Sequence, residues 1–253
     1  MNGRIFRVLI AEDESLQLHS IARMVERVSD KFQVIALAQT GVQALDMAEE
    51  HLPDVVITDI QMPQMGGIEL IEALRDRLPG THFMIISGYS EFEYAQKAIA
   101  LGVTAYLLKP VDPQELSDAL SSVYSTLQLQ NKAYESEFAS LIASESPGHI
   151  ANTLKDYLCA HFNENINLNL VASSMGYSPS HLTKLFQRYH GASPIRFLTN
   201  QRMTKARYYL KYRPEFTIRQ IGEMTGYEDQ GYFSRVFKKE TGLSPLEYRE
   251  TPE

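Results

Sequence analysis

The chain has 253 residues, 44% hydrophobic and 22% charged, which is apolar enough to pack real cores and excludes disordered, collagen-like and disulfide-scaffold classes. Its single cysteine, Cys159, allows no intramolecular disulfide and fits a reducing compartment. The net charge of −7 divides unevenly: 9 Lys plus Arg against 18 Asp plus Glu over 1–125, 1 against 3 over 126–149, and 14 against 10 over 150–253. An acidic front joined to a basic back implies two domains with different partners. No apolar run approaches the roughly 18 residues that span a bilayer. The first apolar stretch ends at Glu12, Asp13 and Glu14, which argues against a signal peptide. A cytoplasmic protein without a membrane partner is expected.

The front half alternates two periodicities. Residues 7–11 form an apolar run, and Leu18, Ile21, Ala22, Val25 and Val28 follow at helical spacing. Further runs occur at Val34–Ala38, Val55–Thr58, Phe83–Ile86 and Ala105–Leu108, with helical stretches near 41–51, 67–77, 92–101 and 112–127. Five short strands alternating with helices predict an α/β doubly wound, five-stranded parallel sheet. Such sheets place their sites beyond the carboxyl ends of the strands. Glu12 and Asp13 stand after the first strand, Asp59 after the third, Ser87 at the end of the fourth, and Lys109 after the fifth.

Singly, each of these has a structural explanation: an acid after a strand is usually a cap or turn residue, and a lysine before proline is usually surface. Together they make a chemical set. Clustered carboxylates repel one another and favour a hard divalent cation such as Mg²⁺. A carboxylate can attack phosphorus, and a cation with a lysine can neutralise the transferring phosphoryl oxygens. Asp59, the central acid, is the candidate nucleophile; Glu12 and Asp13 are the metal-side pair.

Four stretches carry a resemblance: VLIAEDE (8–14), DVVITDIQMPQMGGIEL (54–70), MIISGYSEFEYAQKAIALG (84–102) and AYLLKPVD (105–112). Residues 1–125 thereby resemble a response-regulator receiver domain of the CheY-like fold. The resemblance implies that Asp59 accepts a phosphoryl group from a histidine kinase. It implies Mg²⁺ held by Glu12, Asp13, Asp59 and the Gln61 backbone carbonyl. Ser87 would hydrogen-bond the phosphate and Lys109 would pair with it. Tyr106 matches the family's aromatic switch, and Lys109-Pro110 its cis peptide. Glu12 stands where many relatives carry a second Asp. A phosphohydrolase on a similar sheet would want an Asp-x-Asp loop after strand one; here that loop reads Glu12-Asp13-Glu14-Ser15. An enzyme is therefore not expected.

Over 126–149 the pattern reads as a helical linker. Leu120, Tyr124, Leu127, Asn131, Tyr134, Phe138 and Leu141 are spaced alternately by four and three residues, a heptad seam that permits a short coiled coil with Asn131 fixing register. The alternative is that this face packs on the receiver core. Ser144, Ser146, Pro147 and Gly148 end the linker.

The back half, 150–253, contains an internal repeat with a period of about 50. VASSMGYSPSHLTKLFQRYHGASPIRFL (171–198) matches IGEMTGYEDQGYFSRVFKKETGLSPLEYR (221–249). Gly176 and Tyr177 correspond to Gly226 and Tyr227; after one extra residue, Leu182, Phe186, Gly191 and Pro194 correspond to Phe233, Phe237, Gly242 and Pro245. Each copy reads as helix, glycine turn, helix, the plan that lays a second helix in the DNA major groove. Residues 194–211 read as a long helix between the copies, with Tyr208, Tyr209 and Tyr212 as packing and linker-helix residues rather than base-stacking ones. Clustered cations, among them Lys184, Arg188, Arg235 and Lys238, suit phosphate neutralisation. The bland reading is a helical bundle with solvated basic faces.

These residues closely resemble the AraC/XylS-family DNA-binding domain, an all-α domain with two helix-turn-helix units. The resemblance implies recognition positions Ser180, Thr183, Lys184 and Gln187 on one helix and Gln230, Ser234 and Arg235 on the other. Arg188 and Lys238 add charge beside them. Gly231 stands where some relatives carry a polar reader. Both halves together resemble the YesN-type response regulators. The implied partners are a sensor histidine kinase, double-stranded promoter DNA, RNA polymerase and a second copy on activation. The competing function class is a scaffold whose receiver is not phosphorylated.

Overall fold

The computed structural model describes residues 4–88, 92–139 and 146–251. By packing, the chain divides into two compact units: Met1–Ala139 with Asn167–Ser174, and Ser140–Ile166 with Met175–Glu253.

The first unit holds five strands, β1 (Phe6–Ala11), β2 (Phe32–Ala38), β3 (Val55–Thr58), β4 (His82–Ser87) and β5 (Ala105–Leu108). They are hydrogen-bonded in the order β2-β1-β3-β4-β5, every pair parallel. The helices α1 (Ser15–Val28), α2 (Gly41–His51), α3 (Gly67–Arg77), α4 (Phe92–Ala100) and α5 (Pro113–Glu137) connect and follow them. Central strands covered on both faces have no solvent side, so their sequences are apolar without alternation. All four residues of β3 are buried, as are Val8, Leu9, Ile10 and Ala11 of β1. At about 1.5–3 kcal/mol for each buried Val, Leu or Ile side chain, this core supplies the main drive to fold the sheet.

Local chemistry starts the helices where the pattern implied. Thr40 accepts the Gln43 N–H at the head of α2, and Asp112 accepts the N–H groups of Gln114 and Glu115 at the head of α5, with Pro113 in the first turn. Strands β3 and β5 and helices α2 and α3 lie where the periodicity placed them. Helix α5 runs further than the expected 112–127, because the apolar stripe continues.

That stripe has an intramolecular use. Leu120, Leu127, Asn131, Tyr134 and Phe138 are all buried in the folded chain, and Tyr124 sits edge-on to Phe6 and Phe32. Asn131 donates to Glu135 of the next turn at 2.7 Å. The Tyr134 hydroxyl accepts the Asn167 N–H at 3.1 Å, and Asn167 donates onward to the Gly80 carbonyl at 2.8 Å. Leu141 and Ser144 lie outside the described residues.

Helix α6 (Pro147–Ala160) belongs to the second unit and α7 (Leu168–Ser174) to the first. The second unit continues with α8 (Pro179–His190), α9 (Pro194–Tyr212), α10 (Ile218–Met224), α11 (Gln230–Thr241) and α12 (Pro245–Glu250). The repeat extends to the caps. Ser178 and Asp229 accept N–H groups at the heads of α8 and α11; Ser193 and Ser244 do so for α9 and α12, each ahead of a proline. Gly176 (φ +79°) and Gly226 (φ +84°) both take the left-handed backbone that a side chain resists. Around the second copy, Met203, Ala206 and Leu210 of α9 pack with Ile221, Tyr227, Phe233, Val236 and Phe237.

Candidate functional site

The acidic site is an extension of the sheet. Past the ends of β1, β3 and β5 one more ladder hydrogen bond pins a site residue: the Glu12 N–H donates to the Ala38 carbonyl (3.0 Å), Asp59 to Ala11 (2.9 Å) and Lys109 to Ser87 (2.9 Å). The backbone thus carries Glu12, Asp59, Ser87 and Lys109 to one edge in fixed register. The Lys109-Pro110 peptide is cis, as the motif implied.

The side chains converge. Lys109 Nζ lies 2.6 Å from Asp59 Oδ2 and 2.7 Å from Glu12 Oε2. Glu12, Asp13 and Asp59 each bring a carboxylate oxygen within 4.8 Å of the others'. Glu12 and Asp59 are buried and Asp13 is exposed, so the cluster opens to solvent on one side. The Ile60 N–H donates to Asp59 Oδ1 at 2.5 Å. Asp13 and Gln61 line one cleft of about 620 Å³ with Met62, Glu69, Tyr94 and Lys97.

Electrostatics follow from this crowding. Burial, together with the neighbouring Asp59 charge, raises the Glu12 carboxyl above its ordinary value despite the opposing Lys109 contact. Burial works against the Lys109 ammonium, but its hydrogen bonds and charge pairing with Asp59 and Glu12 outweigh it and raise the group. Two carboxylates thus share one ammonium, with the Asp13 carboxylate close by. A hard divalent cation with oxygen ligands fits the remaining negative charge.

Ser87 is fully buried at the end of β4. Tyr106 pairs in register with Ile85 of β4 and packs, partly buried, against the core face that holds Ile60 and Leu101. Gly67, at the start of α3, lies against the site's backbone: a Cβ there would fall 2.0 Å from the Asp59 carbonyl oxygen and 2.9 Å from Thr58 Oγ1.

In the helical half, the residues assigned to the core are buried: Leu182, Phe186, Phe233 and Phe237. Those assigned to recognition face outward. Ser180, Lys184, Gln187 and Arg188 on α8 and Gln230, Arg235 and Lys238 on α11 are exposed, while Thr183 and Ser234 are half-buried. The Ser234 hydroxyl donates to the Gln230 carbonyl one turn back at 2.9 Å. Tyr209 packs on the core, but Tyr208 and Tyr212 are exposed and rest on each other, with ring centroids 5.3 Å apart. All three stand on α9, and only Tyr209 reaches the core. Sequence reasoning missed Arg202, a buried arginine on α9. Its signal, an arginine among Leu198, Met203, Ala206 and Leu210 on the apolar face, was legible in principle.

A parallel sheet with a clustered acidic edge, followed by a duplicated helix-turn-helix, defines a DNA-binding response regulator. Comparison with known proteins agrees. The family model for the response regulator receiver domain matches residues 8–121, and a helix-turn-helix domain model matches 171–251. An uncharacterized response regulatory protein of Staphylococcus epidermidis is 27% identical over 250 residues, covering 96% of this chain and 98% of that protein. The transcriptional regulatory protein HptR of Staphylococcus aureus is 27% identical over 256 residues, with the same shares covered. The receiver domain of AraT, a response regulator from Geobacillus stearothermophilus, is 39% identical; the match covers 50% of this chain and 98% of that one, with a TM-score of 0.47. The chain belongs to the response regulators that join a receiver domain to an AraC-type helix-turn-helix domain. Among the described residues no helix is long and apolar enough to cross a membrane.

Proposed function

We propose that this chain is a phosphorylation-dependent, cytoplasmic transcription regulator that takes a phosphoryl group from a sensor histidine kinase onto Asp59 and binds promoter DNA through its two helix-turn-helix units. The observation that carries the reading is the Lys109 ammonium held between Asp59 and Glu12 at 2.6 and 2.7 Å, at the edge where Asp13 also stands.

Asp59 Oδ1 accepts the backbone Ile60 N–H and Oδ2 accepts the Lys109 ammonium, a side chain that can move, so Oδ2 is the oxygen available for attack. Oδ2 forms the new O–P bond as the N–P bond of the kinase phosphohistidine breaks, and the imidazole leaves with its electron pair. Lys109 moves from the carboxylate to an equatorial phosphoryl oxygen. Glu12, Asp13, Asp59 and the Gln61 carbonyl would hold Mg²⁺, which would supply further neutralisation of those oxygens. Buried Ser87 then donates to the phosphoryl group, and Tyr106 moves in behind it. Arg188 and Lys238 meet phosphates, Lys184 and Arg235 meet guanine edges or phosphates, and Ser180, Thr183, Gln187, Gln230 and Ser234 face base edges.

Phosphorylation biases the protein toward a homodimer that binds adjacent sites and activates transcription with RNA polymerase. The test is beryllofluoride binding with Mg²⁺, followed by DNA selection. Saturable, Mg²⁺-dependent beryllofluoride binding that strengthens DNA affinity is expected. Equal DNA affinity with and without it would defeat the switch, and a receiver that binds no beryllofluoride would favour the scaffold reading.

A further inference from the structure

We propose that Arg202 is the positioning residue that sets the spacing between the two recognition helices α8 and α11, and with it the spacing of the two DNA segments read. The inference rests on the DNA-binding reading above.

Arg202 stands midway along α9 and is 7% exposed. Its guanidinium works in two directions. Nε donates to the Phe162 carbonyl and Nη2 to the Glu164 carbonyl, each at 2.7 Å. Those carbonyls lie in the segment just after α6, and α6 packs directly on α8. The Cζ of the same guanidinium lies over the Tyr227 ring, 5.2 Å from its centroid. Gly226 closes the other side: a Cβ there would fall 2.9 Å from Arg202 Cζ and Nη2. Tyr227 in turn packs on Tyr232 and Phe233 of α11. One side chain therefore links the frame of the first recognition helix to the turn that aims the second.

Arginine is suited to this because its planar fork can satisfy two carbonyls while its flat face lies on an aromatic ring. Lysine offers one point charge and cannot do both. Helix α9 sets the distance between the two ends of the domain. The apolar packing around Tyr227 is non-directional and tolerates small rotations of the second turn about α9. The Arg202 contacts are directional and do not.

The test uses the full chain. Bound duplexes are selected from a randomised pool with native protein, giving a bipartite site. Derivatives with one base pair inserted or deleted between the halves are then titrated. Native protein is expected to lose at least tenfold in affinity per inserted or deleted pair. Arg202→Lys is expected to bind the parent site several-fold more weakly, yet lose less than threefold on insertion. Base preferences within each half should stay unchanged, which a merely structural defect would not produce. If Arg202→Lys fails to fold, Gly226→Ala, which keeps the arginine and crowds it, is read the same way. A folded variant that keeps native spacing discrimination overturns the inference alone. A native protein that selects no bipartite sequence overturns the DNA-binding reading and the inference with it.

Discussion

Gly67 lies so close to Asp59 that a single added methyl group would strike the Asp59 carbonyl oxygen at 2.0 Å. The obstacle is backbone on one side and the Thr58 hydroxyl, which donates to that same carbonyl at 2.9 Å, on the other. Neither can swing away as a flexible side chain would. Gly67→Ala should therefore displace the loop that carries Asp59. Overpacking of this kind costs on the order of 1–3 kcal/mol. Thermal melting and acetyl-phosphate labelling should fall together; native labelling in the variant would show that the loop adapts.

Asp59→Asn should abolish labelling by acetyl phosphate while leaving the fold intact. It should also raise the melting temperature in Mg²⁺-free buffer, because it removes one of three clustered carboxylates that have a single ammonium, Lys109, paired with two of them. Saturating Mg²⁺ should erase that advantage. A variant that melts below native protein in both conditions would mean that the Asp59–Lys109 pair outweighs the repulsion.

The pH dependence of Mg²⁺ affinity follows from Glu12. Its carboxyl is raised above the usual value, chiefly by burial. The metal needs the charged form, so affinity should be full at higher pH and fall as pH drops through the raised Glu12 value, earlier than an ordinary carboxylate would give. The metal-free fold should show the opposite sign. A raised folded-state value contributes stability below the unfolded-state value and loses it as pH rises through the folded-state one. Glu12→Gln should remove its share of both effects; a metal titration with an unchanged pH profile in that variant would assign the proton elsewhere.

The cationic and amide positions should separate by their salt response. Arg188→Ala and Lys238→Ala should weaken binding to all sequences and lower the slope of log K against log salt by about 0.9 for each phosphate no longer neutralised. Gln230→Ala should leave the slope unchanged and relax preference at one base pair, costing about 1–3 kcal/mol on the cognate site. Titration across three salt concentrations distinguishes these outcomes. An unchanged slope for Lys238→Ala would mean that this residue does not neutralise a phosphate.

Much of this protein was legible in one dimension. The apolar runs at 55–58 and 105–108 became strands within a residue of their limits: β3 is buried on both faces and leaves no room for polar alternation, whereas β5, at the sheet edge, buries only Leu107 and is marked by its β-prone run alone. Glu12, Asp59, Ser87 and Lys109 could be singled out because a parallel sheet delivers the residue after each strand to the same edge. The glycine turns at 176 and 226 were legible because only a residue without a side chain adopts that backbone cheaply.

Other features depended on which surfaces meet. The seam from Leu120 to Phe138 reads equally well as a dimer stripe or a docked face, since both demand the same spacing; it is buried within the chain. Tyr208 and Tyr212 share the helical spacing of Tyr209, yet only Tyr209 finds a core. Arg202 looked like one more cation in a basic domain. Its two carbonyl acceptors lie 40 and 38 positions away and its aromatic neighbour 25 further on, so no local pattern could reveal them. Periodicity and strand order are properties of neighbouring residues and therefore stand in the sequence. The pairing of a buried charge is a property of distant ones, and only folding decides it.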